Sequence, residues 1–196
     1  MTDLSHLTPR SYRLIVADPP WDFKAGKKGR PQHYNRMALA DICAMPVRDL
    51  AHPDGCRLAL WTTPPFLLHG AEVLRAWGFR YSTCRFWGKL WPSEDCMFIY
   101  ANSLARGTGY EAIGNCEVLL IGKRGRPQSL GAKKPAGLFF ARRREHSRKP
   151  DIVMDELTRL FDGPRLEIFA REPREGWDAA GDQTTHFAPR ALEAAE

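Results

Sequence analysis

The stretch YRLIVADPPW, residues 12–21, joins a short apolar run to the tetrapeptide Asp18-Pro19-Pro20-Trp21. The β-branched residues and the short length of the run predict a buried strand, which the two prolines bring to an end. Ligands of open parallel sheets bind beyond the carboxyl ends of the strands. The pattern therefore predicts that Asp18 lies on a ligand-binding edge of a sheet.

Two kinds of apolar segment follow along the rest of the chain. Amphipathic segments predict helices at 64–79 and 150–161. Further buried strands are predicted at 56–62, 80–90, 116–123, 138–143 and 165–172. Uniformly apolar strands that alternate with helices are typical of an α/β domain, with a mostly parallel sheet and helices on both faces. Side chains after several strand ends are then expected on the edge that carries Asp18, namely Trp61, Thr62, Lys89 and Arg171.

The composition excludes several classes of protein. A chain of 196 residues with 43% hydrophobic residues fits one globular domain over 1–196, with its core at 11–185 and a frayed tail at 186–196. No run of 18 apolar residues and no signal-peptide pattern occurs, so we expect no membrane partner. The five cysteines are scattered and odd in number. We therefore expect reduced thiols in a cytoplasmic protein, and no metal site.

Positive charge is concentrated in one window, residues 123–149, which holds ten Lys or Arg and one acidic residue in a chain of net charge +6. A second basic run at 24–30 follows the tetrapeptide. Both runs contain Gly, and the first also contains Pro, so they predict loops that suit a polyphosphate partner. The alternative is a solvated surface. On the first interpretation, three side chains are predicted to contact a substrate: Lys123, Arg124 and Arg126.

The tetrapeptide can hold an amine such as adenine N6, which is a poor nucleophile because its lone pair is delocalised into the ring. The Asp18 carboxylate and the Pro19 carbonyl can both accept hydrogen bonds from that amine, and the fixed φ of proline holds the carbonyl in position. Trp21 offers a flat face on which a base could stack. The alternative is a strand that ends in a rigid turn, with Trp21 as an apolar residue at the edge.

The DPPW motif after an apolar strand resembles the catalytic motif of the MT-A70-like adenine N6-methyltransferases, of the bacterial and phage type. The similarity covers about 170 residues. It continues in the family's order through RLALWTT (57–63), GYEAIGNCEVLLIGKRGRP (109–127), EHSRKPDIVMDELTRL (145–160), RLEIFARE (165–172) and GWDAAGDQ (176–183).

This resemblance implies a Rossmann-like domain whose catalytic motif precedes its cofactor motif. It implies methyl transfer from S-adenosyl-L-methionine to adenine N6 in nucleic acid, with DNA favoured over RNA. The implied catalytic residues are Asp18, Pro19, Pro20 and Trp21. The implied cofactor-binding residues are Asp18, Lys149, Phe169, Arg171, Asp182 and Gln183. Weaker matches assign three side chains to the substrate pocket: Tyr34, Trp87 and Lys89.

The sequence leaves other functions open. A catalytically silent, nucleic-acid-binding partner subunit of the same fold is one alternative, although such members typically lose the tetrapeptide. A methyltransferase acting on another amine, such as a protein amide, is a second. Ala112 and Ile113 stand where the family often has a polar or basic residue, which affects the substrate end of the pocket. The kind and strandedness of the nucleic acid, its target sequence and the oligomeric state are not determined by these patterns.

Overall fold

The computed structural model describes residues 2–22, 35–93, 103–107, 111–131 and 133–187. Within them, one sheet contains seven strands in the order β5-β3-β4-β2-β1-β6-β7. The strands are β1 (Leu14–Ala17), β2 (Gly55–Thr62), β3 (Arg80–Leu90), β4 (Cys116–Gly125), β5 (Leu138–Arg142), β6 (Arg165–Ile168) and β7 (Asp178–Ala180). The helices are α1 (Leu39–Ala44), α2 (Val47–Leu50), α3 (Leu67–Ala76) and α4 (Asp151–Leu160), with a 3-10 turn at Pro64–Phe66.

Strand direction confirms the predicted α/β class with a mostly parallel sheet. Strand β1 is parallel to β2 and β6, β3 is parallel to β5, and β6 is parallel to β7. Strand β4 is antiparallel to both of its neighbours, β2 and β3. As a result, the residues before β4 lie on the same edge of the sheet as the residues after the other strands. We call this edge the site edge, and the other the far edge.

The helices cover both faces of the sheet, as predicted, because alternate residues of each strand point to opposite faces. Ile15 of β1 packs into one core with apolar residues of α1, α2 and α3, such as Val73. Leu14, its neighbour in the chain, packs into a second core with apolar residues of α4, such as Val153. Burial of both faces explains why the central strands are apolar without alternation.

The helix predicted at 64–79 is present as the 3-10 turn followed by α3. Pro64 and Pro65 begin it, where a missing backbone N–H leaves no helical hydrogen bond unmade. Gly78 has a φ of 78°, in the left-handed region that favours glycine, and the chain leaves the helix there. Both boundary signals of the sequence therefore act as predicted.

Two predictions near the end of the chain need correction. The strand predicted at 165–172 ends at Ile168, because Phe169 adopts a φ of 64° and turns the chain out of the sheet. It is also not the last strand, since β7 pairs with β6 in parallel register. Strand β7 has three residues, two of them alanine, which is too short and too weakly patterned for periodicity to detect.

Several predicted features lie wholly or partly outside the described residues. They are the basic run at 24–30, the irregular segment at 91–110 and the tail at 186–196. In the described part of the chain, no helix combines the length and the apolar character needed to cross a bilayer.

Candidate active site

Four charged side chains of alternating sign meet at the site edge of the sheet. Lys149, just before α4, lies with its Nζ 2.7 Å from Oδ2 of Asp18, which follows β1. The same Nζ is 3.1 Å from Oε2 of Glu117 on β4. Oε1 of Glu117 is 2.5 Å from Nζ of Lys89 on β3. Three strands and the start of one helix therefore contribute to a single, mostly buried network.

The network shifts the pKa values of its members in different directions. Burial raises the pKa of Asp18, an effect that Lys149 partly opposes and Glu117 reinforces. Burial alone would raise the pKa of Glu117, but the ammonium groups of Lys149 and Lys89 bring it below its ordinary value. Burial alone would lower the pKa of Lys149, but Asp18 and Glu117 outweigh it and raise that pKa. Lys149 is thus held charged, and of the two carboxylates that it contacts only Asp18 has its pKa raised.

The Pro-Pro turn after Asp18 is fixed by its own backbone and by Trp21. The Trp21 backbone N–H donates to the Pro19 carbonyl at 2.8 Å, and the Met37 N–H donates to the Pro20 carbonyl at 2.9 Å. The Trp21 indole N–H donates to the Trp61 carbonyl at 3.2 Å. These bonds hold Asp18 and the Pro19 carbonyl in a constant relation to the end of β2.

The placement of Trp21 differs from the sequence prediction of an open stacking face. The side chain is 4% exposed and packs in the first core, with its ring centroid 5.8 Å from that of Phe66. The indole packs against Phe66 and its N–H reaches the end of β2, so the ring is turned into the core rather than out of the sheet edge. In this structure Trp21 therefore anchors the turn and presents almost no surface to a base.

The segments after β6 and β7 meet beside Lys149. Arg171 donates from Nε to Oε1 of Gln183 at 3.0 Å and from Nη1 to the carbonyl of His146 at 2.9 Å. Its guanidinium also lies 4.4 Å from the ring centroid of Phe187. Of the other predicted cofactor residues, Phe169 packs against the first core and Asp182 is exposed. The structure thus brings Asp18, Lys149, Arg171 and Gln183 to one edge.

An open cavity of about 640 Å³ lies next to these residues. Its lining is rich in charge and has an aromatic pair at one end: Glu145, Arg148, Asp151, Glu172, Pro173, Arg174, His186 and Phe187. Ion pairs connect its walls, with Arg148 2.6 Å from Glu172 and Arg174 3.1 Å from both Glu172 and Asp151. They tie the start of α4, and with it Lys149, to the segment after β6.

The predicted substrate residues have mixed outcomes. Lys89 reaches the site edge through Glu117. Trp87 does not line a pocket: it is buried in the second core, its indole N–H donates to the Ala141 carbonyl at 3.0 Å, and its ring packs edge-on against Trp61. Lys89, two residues along on the same face of β3, has its Nζ 5.2 Å from the Trp87 ring centroid. The Trp87 ring therefore packs between the second core and that ammonium, which corrects its placement in the pocket wall. Tyr34 lies outside the described residues.

Lys123, Arg124 and Arg126 lie away from Asp18. Lys123 is in register with Arg57 near the start of β2, whereas Val118 is in register with Thr62 at its end. Five residues of strand separate the two positions by about 17 Å. The structure therefore does not support a contact of these three side chains with a substrate at Asp18, because β4 runs antiparallel and delivers them to the far edge.

Sequence reasoning did not assign two carboxylates that the structure brings to this region. Glu117 stands in the quoted GYEAIGNCEVLLIGKRGRP motif, but its contacts depend on strand register. Glu167 lies on β6 in register with Val16 of β1. Burial raises the pKa of Glu167 to about 7, with Arg174 opposing the rise and Glu172 and Asp18 adding to it. A glutamate inside an apolar strand was the available signal for both.

Comparison with known proteins gives a consistent result. A family model described as MT-A70 matches residues 12–183. The type II methyltransferase M.MunI of Mycoplasma sp is 28% identical over 198 residues, covering 89% of this chain and 78% of the relative. The N6-methyladenosine RNA methyltransferase MTA1 of Pyricularia oryzae is 30% identical over 200 residues, covering 92% of this chain and 49% of the relative.

The similarity extends to longer eukaryotic proteins. The N(6)-adenosine-methyltransferase catalytic subunit METTL3 of Homo sapiens is 25% identical over 183 residues, covering 88% of this chain and 28% of the relative. The chain therefore spans about three quarters of the Mycoplasma protein but half or less of these eukaryotic relatives.

Proposed function

The chain belongs to the MT-A70 family, and on that premise we propose that it transfers the methyl group of S-adenosyl-L-methionine to the N6 amine of adenine in nucleic acid. The observation that carries the proposal is the Asp18 carboxylate, fixed at the end of β1 by Lys149 and followed by the rigid Pro19-Pro20 turn. An enzyme for this reaction needs two acceptors for one amine, and the adjacent Asp18 carboxylate and Pro19 carbonyl are the groups that we assign to that task.

Asp18 and the Pro19 carbonyl act on the amine together. The Pro19 oxygen already accepts the Trp21 N–H, and its second lone pair remains for an N6 hydrogen. Two acceptors on the same amine draw the nitrogen towards a tetrahedral shape and return its lone pair from the ring. When the nitrogen–carbon bond forms, N6 must release one proton. Asp18, whose pKa burial raises, is the carboxylate suited to accept that proton.

The residues present fit the cofactor. The Lys149 ammonium suits its carboxylate end. The open cavity of about 640 Å³ adjoins this group through Arg148 and Phe187 and is within the usual range of roughly 300–1,000 Å³ for ligand sites, although other residues line it. Arg171 and Gln183, whose side chains are joined at 3.0 Å, suit the polar groups of an adenosine. When bound, S-adenosyl-L-methionine supplies a methyl group on a sulfonium with a neutral leaving group. We assign its binding to Asp18, Lys149, Phe169, Arg171, Asp182 and Gln183.

DNA is the substrate that we propose first. The chain spans more of the type II methyltransferase M.MunI than of any eukaryotic relative named above, and the compact sequence resembles bacterial and phage members. RNA is the second candidate, because the relative MTA1 is named an RNA methyltransferase. The proposal includes a cytoplasmic location, on the scattered and odd-numbered cysteines of the sequence.

Transfer of labelled methyl groups to four substrates tests the proposal. The purified chain is incubated with methyl-tritiated S-adenosyl-L-methionine and with DNA amplified from unmodified nucleotides, either as duplex or heat-denatured. RNA transcribed from the same template is used as single and as double strands. Digestion to nucleosides should yield labelled N6-methyldeoxyadenosine. Label found only in protein would contradict the proposed substrate, and label in N6-methyladenosine alone would replace DNA by RNA.

Asp18→Asn tests the mechanism at constant side-chain shape. The amide cannot accept the amine proton and loses its ion pair with Lys149, so we expect transfer to fall about 100-fold or more. Asp54→Asn is the matched control, because that carboxylate lies on the far edge and is 77% exposed. It should leave transfer within about twofold. Equal rates for the parent and Asp18→Asn would refute the assigned role.

A further inference from the structure

The first turn of α3, which follows β2 and the 3-10 turn, carries two exposed leucines on the site edge. Leu67 is 39% exposed and Leu68 is 81% exposed. Ile113, which precedes the neighbouring strand β4 on the same edge, is 49% exposed. Leu68 contributes little to the folded core, and together with Leu67 and Ile113 it gives the site edge exposed apolar surface, which marks an interaction site where such residues are grouped.

The turn holds Leu68 rigidly. The Thr62 hydroxyl donates to the Phe66 carbonyl at 3.1 Å, and the fixed φ angles of Pro64 and Pro65 restrict the backbone between them. At Gly70, an added Cβ would come within 2.7 Å of the Leu120 side chain, so α3 is seated closely on the sheet at its first turn. Leu68 therefore projects from a fixed support.

The 3-10 turn before α3 packs against the tetrapeptide. Phe66 packs against Trp21, and β2 is the direct neighbour of β1 in the sheet. Between Thr62 and Gly70 the sequence contains no lysine, arginine or acidic residue, and His69 is its single titratable side chain. The segment therefore has no lysine or arginine side chain to pair with a phosphate. Its leucines suit the flat, apolar face of a nucleic-acid base.

We propose that Leu68 is a wedge that packs into the base stack of a DNA duplex at the position the target adenine leaves. The inference rests on the proposed function. An enzyme that acts on a base in a duplex must bring that base out of the stack, which opens a gap between its neighbours. Leucine is one of the side chains that proteins insert between bases, and this one follows β2, the strand that pairs with β1 and its Asp18.

The test compares the two strand states of one DNA. Duplex DNA amplified from unmodified nucleotides and the same DNA kept heat-denatured are methylated by the parent and by Leu68→Ala. We expect kcat/KM on the duplex to fall about tenfold and kcat/KM on the denatured strands to stay within about twofold. Leu138→Ala is the matched control, since Leu138 is 55% exposed on β5 but belongs to a different surface. It should change neither rate.

The other outcomes separate this inference from the proposed function. Equal losses on duplex and denatured DNA, no loss on either, or a parent that methylates only single strands would each overturn the wedge. If no substrate is methylated, the proposed function fails, and the wedge is measured by 2-aminopurine placed opposite an abasic site in a duplex. The parent should raise the fluorescence of that duplex and Leu68→Ala should not; an equal response overturns the wedge. If light scattering shows a lower molecular mass for Leu68→Ala than for the parent, Leu68 belongs to a contact between copies of the chain, which also overturns the wedge.

Discussion

Two ends of one basic window, residues 123–149, have the same sequence character and opposite positions in the molecule. At one end, Lys123 and Arg124 leave β4 at the far edge, in register with the start of β2. At the other end, Lys149 lies at the site edge, where its ammonium pairs with Asp18 and Glu117. The difference arises because β4 is the antiparallel strand, so the window begins on one edge of the sheet and β5 carries it to the other.

The two ends also differ in how their charges are compensated. On the site edge, Lys149, Arg144 and Arg148 each pair with at least one carboxylate. Among the ion pairs between described residues, none involves Lys123 or Arg124. A charge that is buried between carboxylates has a fixed position and large effects when removed, whereas a solvated charge acts mainly through its long-range field. Composition alone does not distinguish these two uses of lysine and arginine.

Replacing one lysine at each end gives the largest expected contrast. Lys149→Met leaves two buried carboxylates without their shared cation, so we expect methyl transfer to fall about 100- to 1000-fold. We also expect the free energy of unfolding to fall by about 3 kcal/mol, measured by urea denaturation. Lys123→Met should leave both quantities near those of the parent.

The conservative variant Lys149→Arg separates the two parts of this effect. The guanidinium keeps the charge between Asp18 and Glu117, so stability should recover more than transfer, because its planar shape changes the contacts of the single ammonium. Full transfer by Lys149→Met would show that the site edge does not depend on this cation and would remove the distinction between the two ends.

A second contrast is between two carboxylates, Glu167 on β6 and Asp54 on the far edge. Burial raises the pKa of Glu167 from an ordinary 4.5 to about 7, so the folded state binds this proton more tightly than the unfolded state. The resulting stability is present at low pH and is lost as the pH rises through 7. The parent should lose this contribution as the pH rises from 4.5 to 8, and Glu167→Gln should not. The free energy of unfolding of the variant minus that of the parent should therefore increase by about 2–3 kcal/mol between those two pH values.

Urea denaturation of both proteins at the two pH values measures this gain. Asp54→Asn, on the exposed far-edge carboxylate, is the control for a general effect of removing negative charge. If the free energy of unfolding of Glu167→Gln differs from that of the parent by the same amount at pH 4.5 and pH 8, burial does not raise the pKa of Glu167.

Much of the fold was predictable because apolar runs mark the buried strands directly. The run at 80–90 predicts β3 with the bounds that the structure has, and the prolines and Gly78 mark the helix containing α3. The direction of β4 was not predictable, since a strand buried on both faces has the same apolar pattern whether it runs parallel or antiparallel. For that reason the sequence did not show that Lys123, Arg124 and Arg126 lie at the far edge, and their contact with a substrate stays a prediction.

The candidate site was predictable where a motif fixes the backbone and not where contacts depend on register. The tetrapeptide and the resemblance singled out Asp18 and Lys149, which the structure joins at 2.7 Å. Glu117 was not assigned to the site from the sequence, because its contacts follow from the pairing of β4 with β2 and β3. Trp21 and Trp87 were assigned to the pocket because an indole can face either a base or a core, and in each case its N–H found a backbone carbonyl inside the fold.

The smallest expected effect tests the two ends as surfaces for nucleic acid. Arg142 and Arg143 are exposed at the end of β5 on the site edge, and Lys123 and Arg124 are their counterparts on the far edge. Binding of a fluorescein-labelled DNA duplex is measured by anisotropy between about 50 and 200 mM salt, where each phosphate contact adds about 0.9 to the slope of log K against log salt. The double variant Arg142→Gln/Arg143→Gln should lower the slope by about 1–2, while Lys123→Gln/Arg124→Gln should leave it unchanged.

If the far-edge variant lowers the slope instead, the far edge faces the nucleic acid and the basic window contacts DNA away from Asp18. Because a lost contact changes the slope and a lost long-range attraction shifts the whole line, the same titration also distinguishes a phosphate contact from a general effect of charge.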